Sequence, residues 1–119
     1  MDLNNIDSIL NDMMEVKGAI AASIIDWESG MTLGMKSRDN FNIELASAGN
    51  SEVIKAKMNT MHTLGLHGKI KDILITLSDQ IHILTIVENS PELVMYIALD
   101  SNSANLALAR NKMQHLSKS

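Results

Sequence analysis

The side chains of this chain with the most evident chemical reach are four histidines, two arginines and a lysine that follows two glycines. His62, His67, His82 and His115 fall in separate segments, and none stands in a His-Glu-x-x-His spacing that would set two imidazoles on one helix face for a metal. Each reads as a surface or partly buried histidine. The run Gly65-Leu66-His67-Gly68-Lys69-Ile70 has a glycine, a lysine and the look of a phosphate loop. Its first glycine is too close to the lysine, no Ser or Thr follows, and it leads into a strand where a phosphate site needs a helix N-terminus to supply amide donors. No Gly-x-Ser-x-Gly elbow occurs, and the carboxylates gather at helix starts and turns, where capping accounts for them. With no cysteine, a thiol nucleophile, thiolate zinc sites and a disulfide framework are excluded together. The expectation is a non-enzyme with no catalytic residues, no metal and no cofactor.

Partners are narrowed by charge. Ten basic residues against fourteen acidic ones give a net charge of -4, the wrong sign for a chain whose main partner is a phosphate backbone. The first residues, Met1-Asp2-Leu3-Asn4-Asn5-Ile6, have neither a basic nor an apolar leader region, and no stretch approaches the ~20 apolar residues of a membrane span. A cytoplasmic protein bound to neither nucleic acid nor membrane is expected. Nine methionines point weakly toward adaptable protein contacts and more strongly toward core filling.

The elements that position these residues can be read from periodicity. Leu3, Ile6, Leu10 and Met13 recur at helical spacing and make a first amphipathic helix that ends before Gly18. Residues 18–27 and 31–35 are apolar runs around the turn Glu28-Ser29-Gly30 and read as a hairpin. Asp39 and Asn40 are suited to cap a long helix over residues 41–66, with Gly49 as a weak point. Strand-like runs follow at 70–77, 81–87 and 93–99, and Ser101, Asn102 and Ser103 offer caps for a last helix carrying Leu106, Ala109, Met113 and Leu116. The runs are too continuously apolar for either sheet face to be solvated. The order αββαβββα therefore predicts one α/β domain over residues 1–119, a five-stranded antiparallel sheet sandwiched by helices.

On a wheel of about 100° per residue, the long helix has three arcs. Glu44, Ser51, Lys55 and His62 form a polar stripe; Ala46, Gly49, Val53, Ala56 and Leu64 lie broadly opposite and are expected to face the sheet. Ile43, Ile54, Met58 and Met61 make a second apolar flank that a helix on a monomer's surface would expose. Two arrangements cover it: a kink near Gly49 tucks it into the chain's own core, or the helix is buried on one side by its sheet and on another by a second chain.

Gly18-Ala19-Ile20 at the first strand, Asp26 through Gly30 at its turn, Ile73-Leu74-Ile75-Thr76 followed by Gln80-Ile81-His82-Ile83-Leu84, and Asn105-Leu106-Ala107-Leu108-Ala109-Arg110 carry a resemblance across nearly the whole chain. In order and spacing the chain resembles the roadblock/dynein light chain family, in particular its bacterial mutual gliding protein B-like members. The resemblance implies a roadblock/profilin-like fold and a homodimer in which the long helices pack together and the third strands pair. Ile43, Ile54, Met58, Met61, Ile73 and Ile75 would form that interface. It further implies binding of a Ras-like small GTPase, with stimulation of hydrolysis through the GTPase's own loops, and contact through Glu44, Lys55 and His62. Arg38 and Arg110 are the only candidates for a donated arginine finger. The competing readings are a scaffold or dimerisation module with no GTPase-activating function, and a small-molecule sensor domain, for which no convergent polar group marks a pocket.

Overall fold

A computed structural model describes residues 1–38 and 40–119. A 3-10 turn at Leu3–Asn5 runs into α1 (Ile6–Met14); then come β1 (Ala19–Asp26), β2 (Thr32–Ser37), α2 (Ile43–Leu64), β3 (Asp72–Thr76), β4 (Gln80–Ile86), β5 (Leu93–Asp100) and α3 (Leu106–Leu116). The strands form one antiparallel sheet in the order β2-β1-β5-β4-β3, so the last strand lies in the middle and β2 and β3 are the edges. The element order and the five-stranded antiparallel sheet are those expected from the sequence.

Each strand divides its side chains between two helical layers because alternate residues point to opposite faces. On one face Met95, Ile97 and Leu99 of β5 pack with Ile24 and Ile83 against Ile9, Leu10 and Met13 of α1 and Met113 and Leu116 of α3. Gly34 of β2 lets α1 lie close, since a Cβ there would come within 2.9 Å of Leu10 and Ile6 side-chain atoms. α3 is tied to the edge by Arg110, whose Nε and Nη2 donate to the Asp72 carboxylate at 2.6 and 3.1 Å. The other face packs Ala21, Ile25, Leu84, Val94, Tyr96 and Ala98 against α2.

The helix caps differ from expectation. α2 starts at Asn42, whose side-chain oxygen accepts from the Leu45 amide at 3.1 Å, two residues beyond Asn40; Asp39 lies outside the described residues. α3 is capped by Asn105, which accepts from Leu108 N–H at 3.0 Å, while residues 101–103 form the turn before it. In both cases the cap that wins is the one whose carbonyl oxygen reaches the amide three residues on. α2 runs unbroken through Gly49.

Candidate interaction surface

α2 is the element that decides what the chain can present. It ends at Gly65, where a φ of 69° turns the chain left-handed and lets the Gly65 and Leu66 amides bond to the His62 and Met61 carbonyls. The following residues, 66–71, are neither helix nor strand and lead into β3, so the segment carrying Lys69 opens no helix.

The face it lays on the sheet is not the expected one. Ile43 and Ile54 are buried in the chain's own core, with Met58 packed beside them; Met58 and Met61 are half-buried, so this flank is the sheet-facing side and no kink is needed to bury it. The arc expected to face the sheet is instead largely outside: Gly49 and Ala56 are exposed, Leu64 is 66% and Val53 37% exposed, and only Ala46 packs partly against the core. The reason lies in polar residues. Ser47, Asn50 and Ser51 share the buried side with Ile43 and Ile54. Ser47 Oγ meets Ser23 Oγ of β1 at 2.8 Å, and Ser51 Oγ donates to the Ser47 carbonyl at 3.2 Å. Hydrogen bonding makes their burial tolerable, and their small size admits the helix close to the sheet.

Beside them lies a cluster that sequence reasoning missed. His82 Nε2 stands 2.8 Å from Gln80 Oε1, its Nδ1 lies 3.5 Å from the Tyr96 hydroxyl, and Phe41 and Tyr96 meet its ring edge-on. Burial holds the His82 imidazole below its ordinary range against the opposing pull of Asp79, and burial pushes the Tyr96 phenol up to about 12, partly opposed by a hydrogen bond with Asn50. The signal available in the sequence was period-two register alone: Gln80, His82 and Leu84 share a face of β4.

These contacts orient α2. Ser47 sits on β1 and Asn50 against Tyr96 of β5, which is a step toward β3 in the sheet. The side of the helix that continues from Asn50 to Ala46 and Val53 therefore turns toward β3, and the side with Ser51, Lys55 and Glu44 turns toward β2. Of the expected partner-binding stripe, Glu44 and His62 are exposed, Lys55 is half-buried and paired with Glu52 at 3.3 Å, and Ser51 is buried. On the same face Ile73 and Ile75 of β3 are half-buried, Ile73 packing against the margin of the α2 core, and Leu74, on the other face, is 38% exposed. β3 pairs with β4 alone, leaving one row of its backbone groups unpaired among the described residues. At the far end of this region a cleft of about 670 Å³ opens between the end of α2, the segment before β3 and the end of α3. Among the described residues no group of three or more His, Asp or Glu side chains is placed to hold a metal, and no helix is long and apolar enough to cross a membrane.

No family model and no curated protein matches the sequence. Solved structures do match in shape. MglB of Myxococcus xanthus superposes with a TM-score of 0.82 at 14% identity, covering 98% of this chain and 84% of that one. The Roadblock/LC7 domain from Streptomyces avermitilis gives 0.79 at 12% identity, covering 94% and 91%. An MglB structure described as having a tetrameric arrangement gives 0.80 at 12% identity, covering 98% and 85%. Order of elements, sheet topology and these superpositions agree: the chain has the roadblock/LC7 fold.

Proposed function

We propose that the chain is a cytoplasmic, non-catalytic regulatory module that acts as a homodimer and binds a Ras-like small GTPase. The observation that carries the reading is the unfinished side of the sheet: an open β3 edge next to half-buried Ile73 and Ile75, flanked by the outward arc of α2 with Val53 and Leu64. A second copy that pairs its β3 with this edge and lays its α2 alongside covers all of these at once, as a two-fold interface requires. In this reading Ile73 and Ile75 stay in the interface. Val53, Gly49 and Leu64 take the place of Ile43 and Ile54, and Met58 and Met61 support the helix from beneath. The shape shared with MglB, one structure of which is tetrameric, supports self-association.

Glu44, Lys55 and His62 remain the proposed contact for the GTPase, on the β2-ward flank of α2. The arginines favour a particular mode of action. Arg110 is engaged with Asp72, and Arg38 Nη2 donates to the Met14 carbonyl at 3.0 Å. With both guanidinium groups occupied in the chain's own structure, stimulation of hydrolysis proceeds by reordering the GTPase's own residues and not by a donated finger.

Sedimentation equilibrium at micromolar concentration tests the first half: a dimer is expected, and Val53→Glu should dissociate it. A stable monomer removes the reading. The second half is tested by mixing the protein with the Ras-like GTPase encoded nearest to it and following both binding and GTP hydrolysis. Binding with accelerated turnover supports it; binding with unchanged turnover leaves a scaffold or dimerisation module; absence of binding excludes this partner class.

A further inference from the structure

The cleft at the end of the sheet differs chemically from the rest of the surface. Its floor is apolar, formed by Met58 and Met61 of α2 with Ile86 at the end of β4, while Lys69, Lys71 and Lys118 stand around it with Glu88 as the one acidic residue of the lining among the described residues. In a chain with ten basic and fourteen acidic residues, three lysines at one cleft make a local excess of positive charge against the sign of the whole. None of the three is in an ion pair among the described residues, and the nearby Asp72 is already neutralised by Arg110.

The backbone adds a second source of attraction. The amides of His67, Gly68, Lys69 and Ile70 form no backbone hydrogen bonds among the described residues, although Gly68, Lys69 and Ile70 line the cleft. Unpaired amides beside lysines are matched by carboxylates and peptide carbonyls, and a floor that includes two methionines adjusts to apolar side chains of differing shape. Among the described residues no aromatic side chain lines the cleft on which a nucleobase would stack, which separates it from a site for single-stranded nucleic acid.

We propose that this cleft docks an acidic segment of a partner protein, in which carboxylates flank one or two apolar side chains: the apolar groups lie on Met58, Met61 and Ile86, and the carboxylates face Lys69, Lys71 and Lys118. The inference does not rest on the GTPase reading, since the cleft is complete within one chain.

The test uses the full-length ¹⁵N-labelled chain and a short acetylated peptide in which glutamates flank two leucines, with a control in which lysines replace the glutamates. Saturable amide shifts at Gly68, Lys71 and Lys118 are expected with the acidic peptide and not with the basic one. The double variant K69E/K71E alters exposed side chains only and should weaken binding roughly tenfold. Shifts confined to other parts of the chain, equal binding of the two peptides, or an unchanged affinity in the double variant would overturn the proposal. So would dissociation of a K69E/K71E dimer in sedimentation, because a second copy would then be the occupant.

Discussion

Where α1 and α3 cover the sheet, the buried contacts are aliphatic and methionine side chains such as Ile9, Leu10, Met95, Ile97 and Met113; where α2 covers it, Ile43 and Ile54 share the interface with Ser47, Asn50 and Ser51. The first layer spans the sheet, with two helices and an Arg110–Asp72 clamp at its β3 edge. The second has one helix, whose backbone lies nearest β1 and β2, at the opposite side of the sheet from β3. A layer built mainly from apolar contacts is stabilised by close packing and changes little on binding, although Thr85 buries a hydroxyl without a partner among the described residues on this face. One seated through the Ser23–Ser47 hydroxyl contact, with half-buried Ile73 and Ile75 at its margin, has surface left to bury. The difference places the chain's stability on one face and its capacity for association on the other.

The sharpest way to break this contrast is to truncate equivalent residues on the two faces. Ile97 and Ile54 are both fully buried. Ile97→Ala and Ile54→Ala should each cost about 2–5 kcal/mol by urea denaturation, with Ile97 toward the upper end because a core enclosed by two helices and the sheet has less freedom to collapse around the cavity. If Ile54→Ala proves the more damaging, the α2 layer is the stabilising one and the division fails.

A smaller effect separates polar from apolar burial. Ser23→Ala or Ser47→Ala alone leaves one buried hydroxyl without its partner and should cost about 1–3 kcal/mol, whereas the double replacement should recover part of that loss. Additive losses would mean that the 2.8 Å contact contributes nothing specific to how α2 seats.

These same serines explain what the sequence made legible. All five strands, three helices and their order could be read from periodicity and turn residues, because Ile73-Leu74-Ile75 or Ile83-Leu84 leave little choice about burial. The rotation of α2 could not. Hydropathy ranks Val53 and Leu64 above Ser47 and Ser51, and only the facing Ser23 and Tyr96, remote in sequence, show why the polar residues turn inward. The edge strand was readable as a strand, but that Ile73 and Ile75 are only half-buried depends on where the helix lies across the sheet. The lysine cleft likewise joins residues 58–71, 86–91 and 114–118, which share no local pattern.

His82 gives the smallest effect and the finest probe of the α2 face. Its imidazole is held below the ordinary 6.5 by burial, so between its folded and unfolded values the unfolded chain binds more protons than the folded one. The contribution of His82 is therefore at its full value above pH 6.5 and declines as the pH falls below that point. Comparing urea midpoints of the unmodified chain and His82→Gln across pH 5 to 8 isolates this term from the other histidines. The difference between the two proteins should grow toward neutral pH in favour of histidine and narrow in acid. A difference that does not vary with pH would place His82 in a solvated position, and the cluster with Tyr96 and Phe41 would then have no part in holding the helix to the sheet.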